Sequence, residues 1–164
     1  GINAATVTLN GAVSPYKCTG FRLPTEAEWE YAYRAGGVTA FYTSAGNDGS
    51  ITKMMCGLDP NLDQIAWFCG NGNDTTHAYG GKEANVWGLY DVAGNVWEWC
   101  ADGWEEDWGG VERTDPYRDS GSSRVRRGGG GSSDAKRGRG AGRSAVYAGD
   151  RNKYLGARLV RSVP

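Results

Sequence analysis

Hydrophobic and polar positions alternate at a helical period only once with clear boundaries, in Leu23-Pro-Thr-Glu-Ala-Glu-Trp29 and the residues after it. Thr25 can accept from the backbone amide three residues on, while the Glu28 carboxylate returns to the Thr25 amide. Glu26 and Glu28 also sit where the helix dipole favours anions. The pattern predicts a helix from Thr25 to Arg34, with Trp29, Ala32 and Tyr33 as its buried stripe and Gly36-Gly37 as its stop. From Val38 to Gly81 the pattern is irregular, with turns at Gly46-Asn-Asp-Gly and Gly70-Asn-Gly-Asn-Asp and a short strand at Gln64-Ile-Ala-Trp-Phe. Period-two alternation returns at Trp97-Glu-Trp99, with Glu98 facing opposite to the two indoles, and again at Tyr154-Leu-Gly-Ala-Arg-Leu-Val160.

Composition fits a loop-rich fold. The 164 residues include 27 Gly and 7 Trp. Gly permits irregular backbone, and Trp supplies the buried area that regular elements would otherwise bring. Trp29, Trp87, Trp97 and Trp99 are the expected core anchors. The length suits one domain, residues 1–164. No apolar run approaches the roughly 18 to 20 residues of a membrane-spanning helix, and no signal peptide is visible.

The formal net charge of -1 hides a strong polarity. Residues 1–123 carry seven Lys+Arg against 17 Asp+Glu, a net of -10; residues 124–164 carry 11 against two, a net of +9. Either the two parts neutralise each other in the fold, or the basic part forms a face for an anionic partner. The Arg/Gly-rich stretch from Arg124 to Arg143 resembles nucleic-acid-binding tracts, a second alternative function. Such tracts are usually tails, whereas this one runs into a strand-like ending, so a loop held at both ends is expected and nucleic acid is disfavoured.

Asp91, the carbonyls of Gly94 and Val96, and Glu98 lie around one turn and offer hard oxygen ligands of the kind Ca²⁺ accepts; an Asp turn bonding its own backbone gives the same pattern. The lone His77 reads as a structural hydrogen-bonding residue. Cys18, Cys56, Cys69 and Cys100 show no Cys-x-x-Cys zinc spacing, and either disulfides in one of three pairings or buried thiols are compatible with them.

Four ordered segments carry a family resemblance: Gly20-Phe-Arg-Leu-Pro-Thr-Glu-Ala-Glu-Trp-Glu-Tyr-Ala, Trp87-Gly-Leu-Tyr-Asp-Val-Ala-Gly-Asn-Val-Trp-Glu-Trp, Arg124-Val-Arg-Arg-Gly-Gly and Leu155-Gly-Ala-Arg158. Together they resemble the sulfatase-modifying, formylglycine-generating-enzyme family. The resemblance implies an α+β, C-type-lectin-like fold with little regular structure and one small twisted antiparallel sheet. It also implies structural calcium at Asp91, Gly94, Val96 and Glu98, and a preceding N-terminal part. Catalysis does not carry over. The enzymes place a copper-binding cysteine pair soon after the Gly-Gly matching Gly128-Gly129, but Gly130 to Gly138 contains no soft ligand. The related iron enzymes use several histidines, so neither copper nor iron is expected. A degenerate or accessory enzyme domain remains the first alternative.

Where relatives often carry Asn, this chain has Ser132, Ser133, Asp134, Gly142, Ser144, Ala145, Val146 and Tyr147. Each arises from an Asn codon by changing its adenines alone, so the chain is similar to the variable proteins of diversity-generating retroelements. Gly130, Gly131, Ala157 and Lys153 depart from that pattern. The resemblance implies a variable region over residues 124–162. Its ligand-contacting positions would be those eight with Arg137, Gly138, Gly140, Asp150, Asn152 and Tyr154. Small residues with scattered Tyr resemble paratope chemistry. The expected protein is a non-catalytic, monomeric binder of a protein or carbohydrate, with an anionic partner favoured by the surrounding Arg. It would sit at a cell surface or in an extracellular or periplasmic space, through a lipid anchor on a missing N-terminal part.

Overall fold

The computed structural model describes residues 14–42 and 49–162. Most of the expected turn at Gly46-Asn-Asp-Gly lies outside them. The local helix signal is realised as written: α1 spans Glu26–Arg34, Thr25 caps it, and the reciprocal bonds to Glu28 are both present. It ends at Arg34, as expected, with Ala35 in the left-handed conformation just before Gly36-Gly37, and the Asn85 side-chain amide donates to the carbonyls of Ala32 and Tyr33. Trp29 and Tyr33 are buried, while Ala32 is only half-buried and Glu26 takes a buried place on the stripe.

The expected strand at Gln64-Ile-Ala-Trp-Phe is instead a helix running into a strand. Asp59 caps α2 (Pro60–Ile65) through the amides of Asn61 and Leu62, and Pro60 sits in the first turn, where it needs no amide partner. The chain then extends as β2 (Ala66–Trp67), parallel to β3 (Ala93–Gly94). That pairing demands glycine at 94, since a Cβ there would lie 2.1 Å from the Trp67 carbonyl oxygen.

The central sheet has four strands in the order β6-β5-β4-β7: β4 (Trp97–Gly103), β5 (Ser123–Arg127), β6 (Arg143–Tyr147) and β7 (Leu155–Gly156). β4, β5 and β6 are antiparallel neighbours, as expected, but β7 runs parallel to β4, so the sheet is mixed. The alternating ending at 154–160 does not form one strand. Gly156 lies against Val96, Arg158 turns toward Glu98, and the chain restarts as β8 (Val160–Arg161), paired with β1 (Phe21–Arg22).

Two apolar clusters result. The larger joins Trp29 and Tyr33 of α1 to Phe41, Tyr42, Leu62 and Val125. The smaller gathers Leu23, Trp99, Ala101 and Val146 on the other side of the sheet. Trp97 is buried too, beneath the Arg126 guanidinium at 4.5 Å. Trp87 is a correction: it is 48% exposed and packs edge-on against exposed Tyr31, outside both clusters. No helix among the described residues is long and apolar enough to cross a membrane.

Candidate functional site

The Gly-rich stretch between β5 and β6 is a shaped loop held along its length. Its residues exchange backbone hydrogen bonds with four distant segments: Gly128 O with Gly94 N, Gly131 N with Asn95 O, Ser133 O with Cys69 N, Lys136 N with Met54 O, and Gly140 N with Ala40 O. Cys56 and Cys69 form a disulfide beside this loop, and Cys18 and Cys100 are buried thiols, so one pair and two free cysteines answer the question the sequence left open. Burial holds the Cys100 thiol well above its ordinary range.

The polarity of the sequence divides in three dimensions. Part of the basic segment turns inward. Glu98 pairs with Arg127 in β5, which pairs with Arg143 in β6, so the three line up across the sheet beneath α1. Arg143 grips both Glu26 oxygens, at 2.5 and 2.7 Å. Arg127, 1% exposed in its side chain, pairs with Glu30, donates to Gly142 O, and places Nε 3.2 Å from Glu26 at an ion-pair distance without hydrogen-bond geometry. Below this network Asp102 is fully buried, and desolvation pushes its pKa up to about 6 against the hydrogen bond it accepts from the Glu26 amide, with the Glu26 charge adding to the rise. Five other cations of this segment have no carboxylate partner among the described residues: Arg137, Arg139, Arg151 and Arg161 are exposed, and Arg126 lies half-buried over Trp97.

The expected ligand-contacting residues separate in the same way. Ser132, Arg137, Ala145, Tyr147, Asp150 and Asn152 are exposed, Tyr147 at 67%. The side chains of Ser132, Ala145, Tyr147 and Asp150 make no hydrogen bond or ion pair among the described residues. Ser133, Asp134, Ser144 and Tyr154 are half-buried. Ser133 closes a turn on the Gly130 amide, Asp134 pairs with Lys136, Ser144 accepts from Arg126, and the Tyr154 hydroxyl donates to Asp74 at 2.7 Å. Asn152 accepts from the Tyr154 amide.

Four others are scaffold. Val146, 6% exposed, points into the smaller cluster because β6 alternates and Ala145 and Tyr147 take the outer positions. Gly138 is buried with its carbonyl held by the Tyr33 hydroxyl, Gly140 lies on the Tyr33 ring, and a Cβ on Gly142 would come within 2.5 Å of the Arg137 carbonyl oxygen.

The turn expected to hold calcium is closed by protein donors. Glu98 accepts from Trp29 Nε1 at 2.7 Å and from Arg158 at 3.0 and 2.7 Å, using both oxygens. Asp91 accepts from the Gly80 amide at 2.8 Å and lies 3.4 Å from the Asn95 amide nitrogen. Asp91 and Glu98 could supply oxygens, and Gly94 and Val96 carbonyls, but as folded Glu98 is engaged by Trp29 and Arg158, and a calcium ion would have to compete with Arg158 for it. The one His/Cys/acid group of three found close enough for a metal among the described residues is Cys56, Cys69 and Asp134, whose sulfurs are joined to each other. His77 stacks on Trp67 at 3.8 Å, and its ring Nε2 lies 3.0 Å from Gly72 O, a structural role.

A mixed four-stranded sheet, one well-formed helix against it and long tethered loops make this an α+β domain of the C-type-lectin-like class. The model of the sulfatase-modifying factor enzyme 1-like domain matches residues 4–163. The chain therefore belongs to that family. The formylglycine-generating enzyme of Thermomonospora curvata is 38% identical over 128 residues, 75% of this chain but 42% of that protein. The serine/threonine-protein kinase pkn1 of Chlamydia caviae is 41% identical over 106 residues, 65% of this chain and 14% of the kinase. The structure of Treponema denticola variable protein 1 superposes with a TM-score of 0.75 at 35% identity, over 88% of this chain and 48% of that one. This chain thus spans less than half the length of these relatives.

Proposed function

We propose that this domain is a non-catalytic binding module that displays a variable set of side chains on the outer edge of its sheet. The observation that carries the reading is the division within β6 and its neighbouring loops. Ala145 and Tyr147 project from an edge strand, Asp150 is exposed just after it and Ser132 is exposed in the loop that leads into it, while Val146 and the glycines of the same segment are packed into the scaffold. Such a division lets side chains change without cost to the core. Similarity to a variable protein supports it, as does the adenine-only relation of these residues to Asn codons. The ligand would be a protein or carbohydrate, met at a cell surface or outside the cell.

The family's enzymes motivate the rival reading, an oxidising domain. Against it, Cys100 is buried with its thiol held protonated, Cys18 is buried, and Cys56 and Cys69 are joined. Urea unfolding separates the two. Replacing Ser132, Ala145, Tyr147 and Asp150 together should cost about 1 kcal/mol, since exposed substitutions stay within about 0.5 kcal/mol each. Trp99→Ala should cost about 3 to 5 kcal/mol. A fourfold variant that unfolds as readily as the Trp variant would make those residues structural. An aldehyde formed on a cysteine-containing peptide with added copper would establish the enzyme reading.

A further inference from the structure

The 136–143 turn encloses a surface concavity of about 280 Å³ lined by Lys136, Arg137, Arg139, Ala141, Gly142 and Arg143. Its cations are not equivalent. Arg143 is committed to Glu26, and Lys136 shares Asp134 at 3.4 Å. Arg139 spends only Nε, on the Lys136 carbonyl at 2.9 Å, which fixes its arm and leaves both terminal nitrogens without a partner among the described residues. Arg137 makes one long contact, 3.5 Å to the Arg143 carbonyl. Two guanidinium forks thus flank a floor of small residues with no carboxylate to satisfy them. Desolvation and, after it, the nearby Arg137 charge lower the pKa of Arg126.

We propose that this concavity is a binding subsite for a tetrahedral oxyanion, a sulfate or phosphate ester carried on a small molecule or glycan. Two forks each seeking a pair of acceptor oxygens are matched by a group with three free oxygens, whereas a carboxylate saturates one fork. The volume lies near the lower end for ligand pockets, so it suits one ester group and part of one sugar ring. A nucleic-acid backbone fits less well, because a phosphodiester offers two free oxygens and needs a stripe of cations rather than one hollow. The inference rests on the reading of the C-terminal face as the binding face, and Arg139, its main determinant, lies outside the four exposed positions on which that reading is tested.

Isothermal titration with inorganic sulfate, galactose 6-sulfate, glucose 6-phosphate and a duplex DNA provides the test. Both sugar esters should bind at one site, with inorganic sulfate competing. Arg139→Ala and Arg137→Ala should each weaken binding at least fivefold, the double variant should abolish it, and Arg139→Lys should not restore it, all with unchanged melting midpoints. Binding of inorganic sulfate with no gain from either sugar would still place the oxyanion but overturn its ester carrier. No binding of any ester or sulfate at millimolar concentration, full binding by the double variant, or preference for DNA with a steep salt dependence would overturn the subsite. If the subsite fails while the fourfold variant keeps its fold, the display reading stands; the reverse result leaves the subsite without it.

Discussion

Glu26 is where the acidic body holds the basic C-terminal strand, and its removal should be felt through the whole sheet. Its carboxylate is buried, doubly bonded to Arg143, within ion-pair distance of Arg127 Nε and 3.4 Å from the Trp108 indole nitrogen. Glu26→Ala leaves Arg127, 1% exposed, with Glu30 and the Gly142 carbonyl alone. Stranding a buried charge in this way costs about 3 to 5 kcal/mol when no other partner remains. Because Glu30 remains, about 3 kcal/mol is expected, or about 6 to 12 °C in the melting midpoint of a domain this size. Arg143→Ala should cost less, about 1 to 2 kcal/mol, since Arg127 keeps both carboxylates and Arg143 is partly exposed. A Glu26/Arg143 double-mutant cycle followed by urea unfolding should return a coupling of about 1 to 3 kcal/mol. If Glu26→Ala costs less than about 1 kcal/mol, or the cycle shows no coupling, the inward half of the basic segment is not what anchors β6.

Asp102, raised by burial from its ordinary 3.8 to about 6, contributes stability that is full below about pH 4 and lost as pH rises through 6. The gap between wild type and Asp102→Asn should therefore shrink by about 3 kcal/mol between pH 4 and pH 7; a gap independent of pH would contradict this. Glu28 works in the opposite sense: burial favours its neutral form, but Arg22 and the Thr25 amide outweigh it and lower its pKa, so its contribution is lost as acid protonates it. Calcium and chelator should leave the melting midpoint unchanged, whereas a calcium-dependent rise abolished by Asp91→Ala would show that Arg158 yields Glu98 to the ion. Opening the Cys56–Cys69 bond, which closes a loop of sequence separation 13, should cost about 3 kcal/mol and weaken protection of the Lys136 amide in hydrogen exchange; unchanged protection would detach the disulfide from the loop it borders.

The features legible in the sequence are those whose partners lie within a few residues. Thr25 and Glu28 are three apart, so the capping box and α1 could be placed directly. The Trp97-Glu-Trp99 alternation located β4 because adjacent side chains must face opposite ways. The same rule, applied to β6, would have removed Val146 from the exposed set, and Asp59-Pro60 carried a helix-start signal that the apolar run after it obscured. Other features depend on contacts that no local pattern encodes. Asn85 donates to the last-turn carbonyls of a helix some fifty residues earlier, Trp87 packs on Tyr31 at the surface, and Cys56 meets Cys69 across α2. The charge polarity was visible, but its division into arginines turned inward and outward required the register of β4, β5 and β6.

Selection from a library varied only at Ser132, Ala145, Tyr147 and Asp150 tests the central claim most directly. With the rest of the chain fixed, variants should be recovered against two unrelated target proteins, such as lysozyme and streptavidin. Each should prefer its own target at least tenfold in binding kinetics and melt within about 1 kcal/mol of the parent. Exchanging the four residues between two such variants should exchange their preferences. Failure to recover any binder above the parent, or preferences that remain with the scaffold after the exchange, would contradict a display surface at this edge of the sheet.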